Sequence, residues 1–270
     1  MEENIYPRHV KKHIFIDECG NPDFFGHRKK VLVGTEGFQP LLIIGAVITE
    51  NRKELRRSIV EFGAEIKNDP ECKDLYSLQK PDWFFHARAD HPKVKDKFFT
   101  FLSDLTGFKV FVVIGRKEIG RFISKHNGNA NEFYFDILYH LLKDRLSRED
   151  TYYQIFLSQR QKSNIKDFSE SVGKAINRDN KRRKKPQSIK YQCDMVMSSA
   201  YPEMSVIDYL LWSLQRYILR GERQYYDLVK DKFSLIIDLY DTDNYRTNYC
   251  NKKSPFDLDK ASPFQQIKKV

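Results

Sequence analysis

The segment His13-Ile14-Phe15-Ile16-Asp17-Glu18-Cys19-Gly20-Asn21 places two acidic residues directly after an apolar run. Residues 14–16 predict a buried β-strand, and a buried strand is an unfavourable place for an unpaired negative charge. Binding to a metal ion or a catalytic role would compensate for that cost. Side chains alternate along a strand, so Asp17 and Glu18 cannot both face one site. We therefore predict Asp17 as the site residue and Glu18 at the fraying end of the strand.

A turn is the alternative interpretation of this segment. Asp, Gly and Asn are common turn residues, so Asp17 and Glu18 could simply begin a turn at Gly20 and Asn21.

The composition predicts a globular protein with a cationic surface. The 270-residue chain is 40% hydrophobic and 14% aromatic, which is sufficient for a packed core. It contains 47 Lys and Arg against 37 Asp and Glu, a formal charge of +10, and its pI is about 9.2. This excess favours a polyanionic partner, with nucleic acid as the first candidate.

Missing motifs exclude several functional classes. The four cysteines are widely spaced and form no Cys-x-x-Cys pair, which argues against a zinc site. No apolar run approaches the ~18 residues needed to span a bilayer, and residues 1–12 lack the apolar core of a signal peptide. We therefore predict a cytoplasmic protein with reduced thiols and no membrane partner. Phosphate-binding glycine loops, dinucleotide fingerprints and Gly-x-Ser-x-Gly elbows are also missing, which argues against nucleotide-driven motors, oxidoreductases and serine hydrolases.

Hydrophobic periodicity predicts a single α/β domain. Residues 30–34 and 41–49 are expected to join the first strand in an antiparallel meander, and residues 52–67 to form an amphipathic helix capped by Asn51. Further strands are predicted at 108–114, 152–157, 189–197 and 233–239, and further helices at 92–105, 129–146, 165–177 and 203–220. We expect one domain over residues 1–270, with a polar N-terminal segment at 1–11 and an irregular tail at 241–270.

The order of these elements is the layout of RNase H-like folds. Antiparallel strands come first, the first strand carries an acidic residue, and helices then alternate with strands. The predicted fold class is therefore α/β, with an RNase H-like mixed central sheet flanked by helices.

Three motifs resemble a broad, mostly bacterial family catalogued as domain of unknown function 3800. The segment Ile16-Asp17-Glu18-Cys19-Gly20 resembles its Ile-Asp-Glu-Ser-Gly opening, and Phe85-His86-Ala87 resembles its central Glu-x-His-Ala element. Residues 198–199 followed by 204–209 are similar to its Ser-rich turn and its Leu-Gln-x-Ala-Asp helix start. The resemblance covers residues 12–239. It implies an RNase H-like fold and a bacterial protein that serves in phage defence or on a mobile element.

The sequence departs from this family pattern at three positions. Phe84 and Ser158 stand where the family often has acids, and Ser205 replaces its usual Gln. A metal site in this chain would therefore contain fewer carboxylates.

The candidate chemistry is phosphodiester hydrolysis. Hard ions such as Mg²⁺ bind oxygen ligands, and two ions ~4 Å apart can clamp the attacking and leaving oxygens. We predict Asp17 and Asp208 as ligands of Mg²⁺ or Mn²⁺, with Glu18 and His86 as further catalytic residues; Asp194 and Asp136 are weaker candidates. The alternatives are that Asp208 only interacts with its helix dipole and that His86 is a structural, hydrogen-bonded group.

Basic residues near a strand end and in a run before Pro186 are candidates for contacts with a nucleic-acid backbone. They are Arg160, Lys162, Lys181, Arg182, Arg183, Lys184 and Lys185. The run is expected to be an exposed arm, with a solvated loop as the alternative.

The predicted function is therefore a divalent-metal-dependent nuclease. The alternative is a catalytically inactive nucleic-acid-binding or protein-assembly module that keeps the fold. DNA and RNA are both candidate partners, and so are a protein partner and a second copy of the chain.

Overall fold

The computed structural model describes residues 10–35, 38–159, 164–184 and 186–264. Its strands within these residues are β1 (Val10–Gly20), β2 (Leu41–Thr49), β3 (Lys109–Arg116), β4 (Thr151–Ser158), β5 (Lys190–Val196), β6 (Phe233–Asp238) and β7 (Tyr249–Cys250). Its α-helices are α1 (Arg52–Asn68), α2 (Pro92–Asp104), α3 (Ile119–His126), α4 (Ala130–Leu142), α5 (Ile165–Arg182), α6 (Met204–Arg220) and α7 (Gln224–Val229).

The described strands form one mixed sheet in the order β5-β4-β1-β2-β3-β6-β7. Strands β1, β2 and β3 are antiparallel neighbours, whereas β4 runs parallel to β1 and β5 runs parallel to β4. This arrangement confirms the predicted RNase H-like fold class. Strand β6 extends the sheet parallel to β3, and β7 pairs antiparallel with β6.

Strand β1 is central because it is apolar on both faces. Ile14, Phe15 and Ile16 are all fully buried, as expected for a strand that is covered on both sides. Phe15 packs in a core with α1, α2, α6 and α7, and we call this side of the sheet the α6 face. Ile14 and Ile16 pack in a second core with α3, α4 and α5, which we call the α4 face.

The prediction of a strand at residues 30–34 is wrong. Val31 forms only an isolated bridge with Phe25 and is 46% exposed, and Gly34 has a positive φ of 80°. The backbone of this segment bonds instead to residues 24–26, since the Leu32 N–H donates to the Phe24 carbonyl (2.9 Å), and the strand beside β2 is β3.

Several element boundaries also differ from the sequence predictions. Helix α3 was not predicted, β7 forms inside the tail that was expected to be irregular, and α5 continues to Arg182 instead of ending at residue 177. Lys181 and Arg182 therefore belong to the last helical turn and not to an arm. At this end of a helix, cations interact favourably with the helix dipole. The predicted cap is confirmed, because the Asn51 side chain accepts a hydrogen bond from the Glu54 N–H.

None of the helices that the structure describes combines the length and the apolar character required to cross a lipid bilayer.

Candidate active site

Asp17 lies near the C-terminal end of β1 on the α6 face. Residues two apart on a strand share a face, so Asp17 lies on the same side as Phe15 and Cys19, which both pack in the core of the α6 face. The β1–β2 register is uninterrupted from His13 to Gly20. Asp17 is partly buried and pairs with Gly45 of β2. Its carboxyl therefore belongs to the side of the sheet that α6 covers.

Glu18 belongs to the opposite side of the sheet. It shares the α4 face with Ile14 and Ile16, because every second residue of a strand lies on the same face. The strand continues to Gly20, so the prediction that Glu18 lies at a fraying end is wrong. The structure does not bring Glu18 to the face that carries Asp17.

Gly45 allows α6 to pack closely against the sheet beside Asp17. A Cβ atom at Gly45 would lie 2.7 Å from Cδ1 of Ile207 and 2.8 Å from Cδ2 of Leu211. Ile207 directly precedes Asp208 in the helix. Because Gly45 is the strand partner of Asp17, this contact brings the turn that carries Asp208 over the part of the sheet that carries Asp17.

Three side chains of α6 bind the segment 85–90. The Ser205 hydroxyl donates to the Phe85 carbonyl (2.8 Å), and the Ala87 N–H donates to Oδ2 of Asp208 (2.7 Å). The Tyr209 hydroxyl donates to Oδ2 of Asp90 (2.5 Å). Positions 205, 208 and 209 lie on one side of a helix because three or four residues make about one turn. The motif around His86 and the motif at 204–209 are therefore in direct contact.

Asp90 is a buried acid of this site that sequence reasoning missed. It is 4% exposed and also accepts hydrogen bonds from the Trp83 Nε1–H (3.0 Å) and the His86 N–H (2.8 Å). Burial raises the pKa of its carboxyl, and the hydrogen bonds from Tyr209, His86 and Trp83 partly oppose that rise. Its position four residues after His86 was the available signal, since Asp often binds a nearby backbone N–H in loops.

The carboxyl of Asp208 lies between α6 and the segment 85–90. Burial raises the pKa of Asp208 to about 7, the neighbouring charge of Asp90 acts in the same direction, and the Ala87 N–H opposes both. A nearby cation would favour the ionised form. Asp208 lies on the second turn of α6, and its carboxyl binds the Ala87 N–H of another segment. The alternative that Asp208 only interacts with the dipole of its own helix therefore does not account for this contact.

His86 is partly exposed beside this carboxyl group. Its Nδ1 accepts a hydrogen bond from the Ala89 N–H (3.3 Å), and its ring meets Phe84 edge-on with centroids 6.0 Å apart. Its Nε2 makes no hydrogen bond with the part of the chain that the structure describes. His86 is thus a structural member of the loop with one ring nitrogen left for chemistry.

Ser158 ends β4 next to Asp17. The parallel register pairs Ile16 with Leu157, and the next residues along the two strands are Asp17 and Ser158. The Ser158 Oγ lies 3.0 Å from the Oγ of Ser198. The position at which the sequence analysis expected an acid is therefore adjacent to Asp17, and here it supplies a hydroxyl.

The donor set for a metal ion is small. Within residues 10–35, 38–159, 164–184 and 186–264, no three His, Cys, Asp or Glu side chains form a group that could hold a cation. Asp136 packs on the α4 face, and Asp194 lies on β5, two strands from β1. Mg²⁺ is often bound by one or two carboxylates, with water and substrate phosphates completing its shell. Asp17 and Asp208 together would supply two carboxylate ligands, fewer than a preformed two-ion site needs.

The basic run does not join Asp17 and Asp208. Lys181, Arg182, Arg183 and Lys184 lie at the C-terminal end of α5, which packs on the α4 face. This end contacts the segment before β4, since the Asp144 N–H donates to Asp179 (2.8 Å). In the connection that follows α5, the Ser188 N–H donates to Glu149 of the same segment (2.9 Å). Asp17 lies at the other end of the parallel strands. Arg160, Lys162 and Lys185 lie outside the described residues.

Comparisons with known proteins complete the description of the chain. No protein-family model matches it, and neither does any curated protein sequence. It is similar to a solved structure of the PCNA:RNase HII complex from Archaeoglobus fulgidus, with 9% identity and a TM-score of 0.41, covering 82% of this chain and 81% of that chain.

Proposed function

We propose that this protein is a divalent-metal-dependent nuclease, or a related phosphoryl-transfer enzyme, in which Asp17 and Asp208 bind Mg²⁺ or Mn²⁺. The observation that carries the proposal is the packing of α6 on Gly45, which puts Asp208 on the same face and next to the same strand pair as Asp17. When bound, such an ion would polarise a phosphodiester and lower the pKa of a bound water.

The residues around Asp208 support this proposal because a bound cation would stabilise the ionised form of its buried carboxyl. Within the described residues the carboxyl accepts a hydrogen bond from the Ala87 N–H, and the neighbouring acid Asp90 disfavours its ionised form. Asp90 is itself held by Trp83 and Tyr209, so it fixes the segment that positions Ala87 and His86. His86 would then act through Nε2 as a proton acceptor or donor for water or a leaving group.

Separate Asp17→Asn and Asp208→Asn variants test the proposal. Short labelled DNA and RNA, single- and double-stranded, would be incubated with Mg²⁺, Mn²⁺ or a chelator. We expect metal-dependent cleavage by the wild type, none by either variant, and full cleavage by Asp74→Asn, a control at an exposed acid outside the site. Full activity of both variants would refute the proposal.

A direct titration tests the role of Asp208 without relying on turnover. If Asp208 binds the ion, adding Mg²⁺ will move the midpoint of its carboxyl ¹³C signal well below the value of about 7 that burial imposes. An unchanged midpoint at saturating Mg²⁺ would contradict metal binding at this residue.

The alternative is an inactive nucleic-acid-binding module. It is favoured by Ser158 beside Asp17 and by the lack of a three-ligand group among the described residues. It predicts salt-sensitive binding of nucleic acid, no cleavage with any metal, and no effect of Mg²⁺ on Asp208.

A further inference from the structure

Three cations of α5 form a row along the groove between α4 and α5. Lys174, Arg178 and Arg182 follow one another at four-residue intervals, so they share one side of the helix. All three are exposed. With a rise of 1.5 Å per residue the row is about 12 Å long. We call these three residues the α5 cation row.

Aromatic residues of α4 order this row. The Lys174 ammonium lies 5.9 Å from the ring centroid of Phe135, and the Arg178 guanidinium lies 4.1 Å from that of Tyr139. The Arg182 NH1 donates to the Tyr139 hydroxyl (3.2 Å). Stacking on a ring fixes an arginine while its N–H edges stay available, so the row is prepared to receive an anion.

Two buried acids hold the cations but do not neutralise them. Asp136 and Asp179 are each 5% exposed. Arg178 lies 3.7 Å from Asp136, which also accepts a hydrogen bond from Lys125 (2.5 Å). Burial acts to raise the pKa of Asp136, but hydrogen bonds from Lys125 and Tyr240 outweigh it, so the pKa is lowered and the acid stays ionised.

Asp179 repeats this arrangement one turn further along α5. It lies 3.3 Å from Arg182 and 3.9 Å from Arg183. Asp136 faces Lys125 and Arg178. Asp144 lies beside Asp179, and the cations there are Arg145, Arg182 and Arg183. Cations therefore outnumber acids at both places. Lys181 and Lys184 are exposed at the same end of the helix, while Glu170 marks the other end one turn before Lys174.

We propose that the α5 cation row binds the sugar–phosphate backbone of a nucleic acid on the side of the sheet opposite to Asp17 and Asp208. At about 3.4 Å per nucleotide along one strand, a 12 Å row spans roughly three to four phosphates. Such contacts are independent of sequence and fix the position of the nucleic acid. The choice of nucleic acid as the polyanion rests on the proposed function. The position and charge of the row are independent of that function.

Binding of a fluorescent oligonucleotide, measured by anisotropy over a range of salt concentrations, tests this inference. The Lys174→Gln/Arg178→Gln/Arg182→Gln triple variant should bind about tenfold or more weakly than the wild type, and its salt slope should fall by about two to three. A matched triple variant at exposed lysines elsewhere, Lys73→Gln/Lys109→Gln/Lys252→Gln, removes the same charge and should change binding much less. The charge-retaining Lys174→Arg/Arg178→Lys/Arg182→Lys variant should bind more tightly than the glutamine triple because it keeps all three charges. Urea unfolding of each variant controls for loss of folding.

Two results would overturn the inference. One is equal weakening by both glutamine triples, which would mean that only the net charge matters. The other is binding of the wild type to phosphatidylserine vesicles through the row, with oligonucleotide binding unaffected by the substitutions. The test is independent of catalysis because binding is measured in a chelating buffer, without the metal that cleavage needs. Binding of the wild type through the row, with no cleavage in Mg²⁺ or Mn²⁺, would contradict the nuclease proposal and leave this inference intact.

Discussion

The Asp208 carboxyl accepts a 2.7 Å hydrogen bond from the Ala87 N–H, and this bond joins α6 to the segment that precedes α2. Ser205 and Tyr209 add two contacts between the same helix and the same segment. A side chain that the sequence suggests as a metal ligand is therefore also part of the structure that shapes the site. Substitutions here must be examined for both stability and activity.

Asp208→Asn should change the pH dependence of stability. The folded pKa of about 7 lies above the ordinary Asp value of about 3.9, so between these values the folded chain binds more protons than the unfolded chain. Wild-type stability should therefore fall as the pH rises through this window when no divalent cation is present. The asparagine variant does not titrate, and its amide oxygen can still accept from Ala87. Its stability relative to the wild type should rise by at most on the order of 1 kcal/mol per pH unit from about pH 4 to 7.

Urea unfolding in a chelating buffer at several pH values measures this effect. Asp90 is present in both proteins, so most of its own titration cancels in the difference. Asp74→Asn serves as the exposed control. A stability difference between Asp208→Asn and the wild type that stays constant from about pH 4 to 7 would show that Asp208 has an ordinary pKa.

Tyr209→Phe should loosen the segment 85–90. Tyr209 is fully buried, and its hydroxyl is one of three donors to the buried Asp90. Removing it should cost about 1–3 kcal/mol of unfolding free energy and speed amide exchange at residues 83–91. Tyr225→Phe removes a comparable bond to Asp96 at an exposed site and should cost less than about 1 kcal/mol. Equal costs for the two substitutions would argue against the anchoring role of Asp90.

Gly45→Ala should be destabilising because its Cβ would meet Ile207 and Leu211 at less than 3 Å. We expect a loss of about 1–3 kcal/mol, as for other overpacked cores. Adding Ile207→Val removes the nearer methyl group, so the double variant should be more stable than the sum of the single effects predicts. Gly120→Ala in α3 meets no atom within 4 Å and should be neutral or stabilising. Thermal or urea unfolding of the wild type, Gly45→Ala, Ile207→Val, the double variant and Gly120→Ala checks the pattern; strict additivity would contradict the proposed clash.

Arg116→Lys should be strongly destabilising. Arg116 forms two parallel hydrogen bonds with Asp238 (2.9 and 2.8 Å), and these residues are 6% and 1% exposed. Lysine cannot form the paired bonds, so we expect a loss of about 3 kcal/mol. Arg148 forms the same paired geometry with Asp150 (3.0 and 2.7 Å) at an exposed site. Arg148→Lys should leave the free energy of unfolding nearly unchanged because solvent screens that pair. Similar losses in urea unfolding for both variants would show that burial does not govern the strength of these pairs.

The local elements of the fold were largely predictable from the sequence. The apolar run at 14–16 correctly predicted β1, and helical periodicity predicted α1, α2 and α6 closely. The strand predicted at 30–34 was wrong because the backbone of this segment bonds to residues 24–26 and not to β1 or β2. Helix α5 was predicted too short, since the charged residues after 177 carry no apolar period although they continue the helix.

The candidate site was only partly predictable. Asp17, Asp208 and His86 follow from the motifs. Asp90 had only its position four residues after His86 as a signal, and it is identified by its bonds to Trp83 and Tyr209. The basic run was recognised as a candidate for binding anions, but its distance from Asp17 depends on which face of the sheet α5 covers.

By itself, the sequence determined that an acid follows a buried central strand, that a second acid lies in an apolar helix, and that the chain has the element order of a mixed sheet. These properties depend on hydrophobic period and on neighbouring residues, which are local. Only the tertiary structure decided that Asp208 binds Ala87, that Asp17 rather than Glu18 lies on the face covered by α6, and that the cations of α5 lie across the sheet. Those relationships depend on strand register and on the crossing of α6 over Gly45, which join segments that are far apart in the chain.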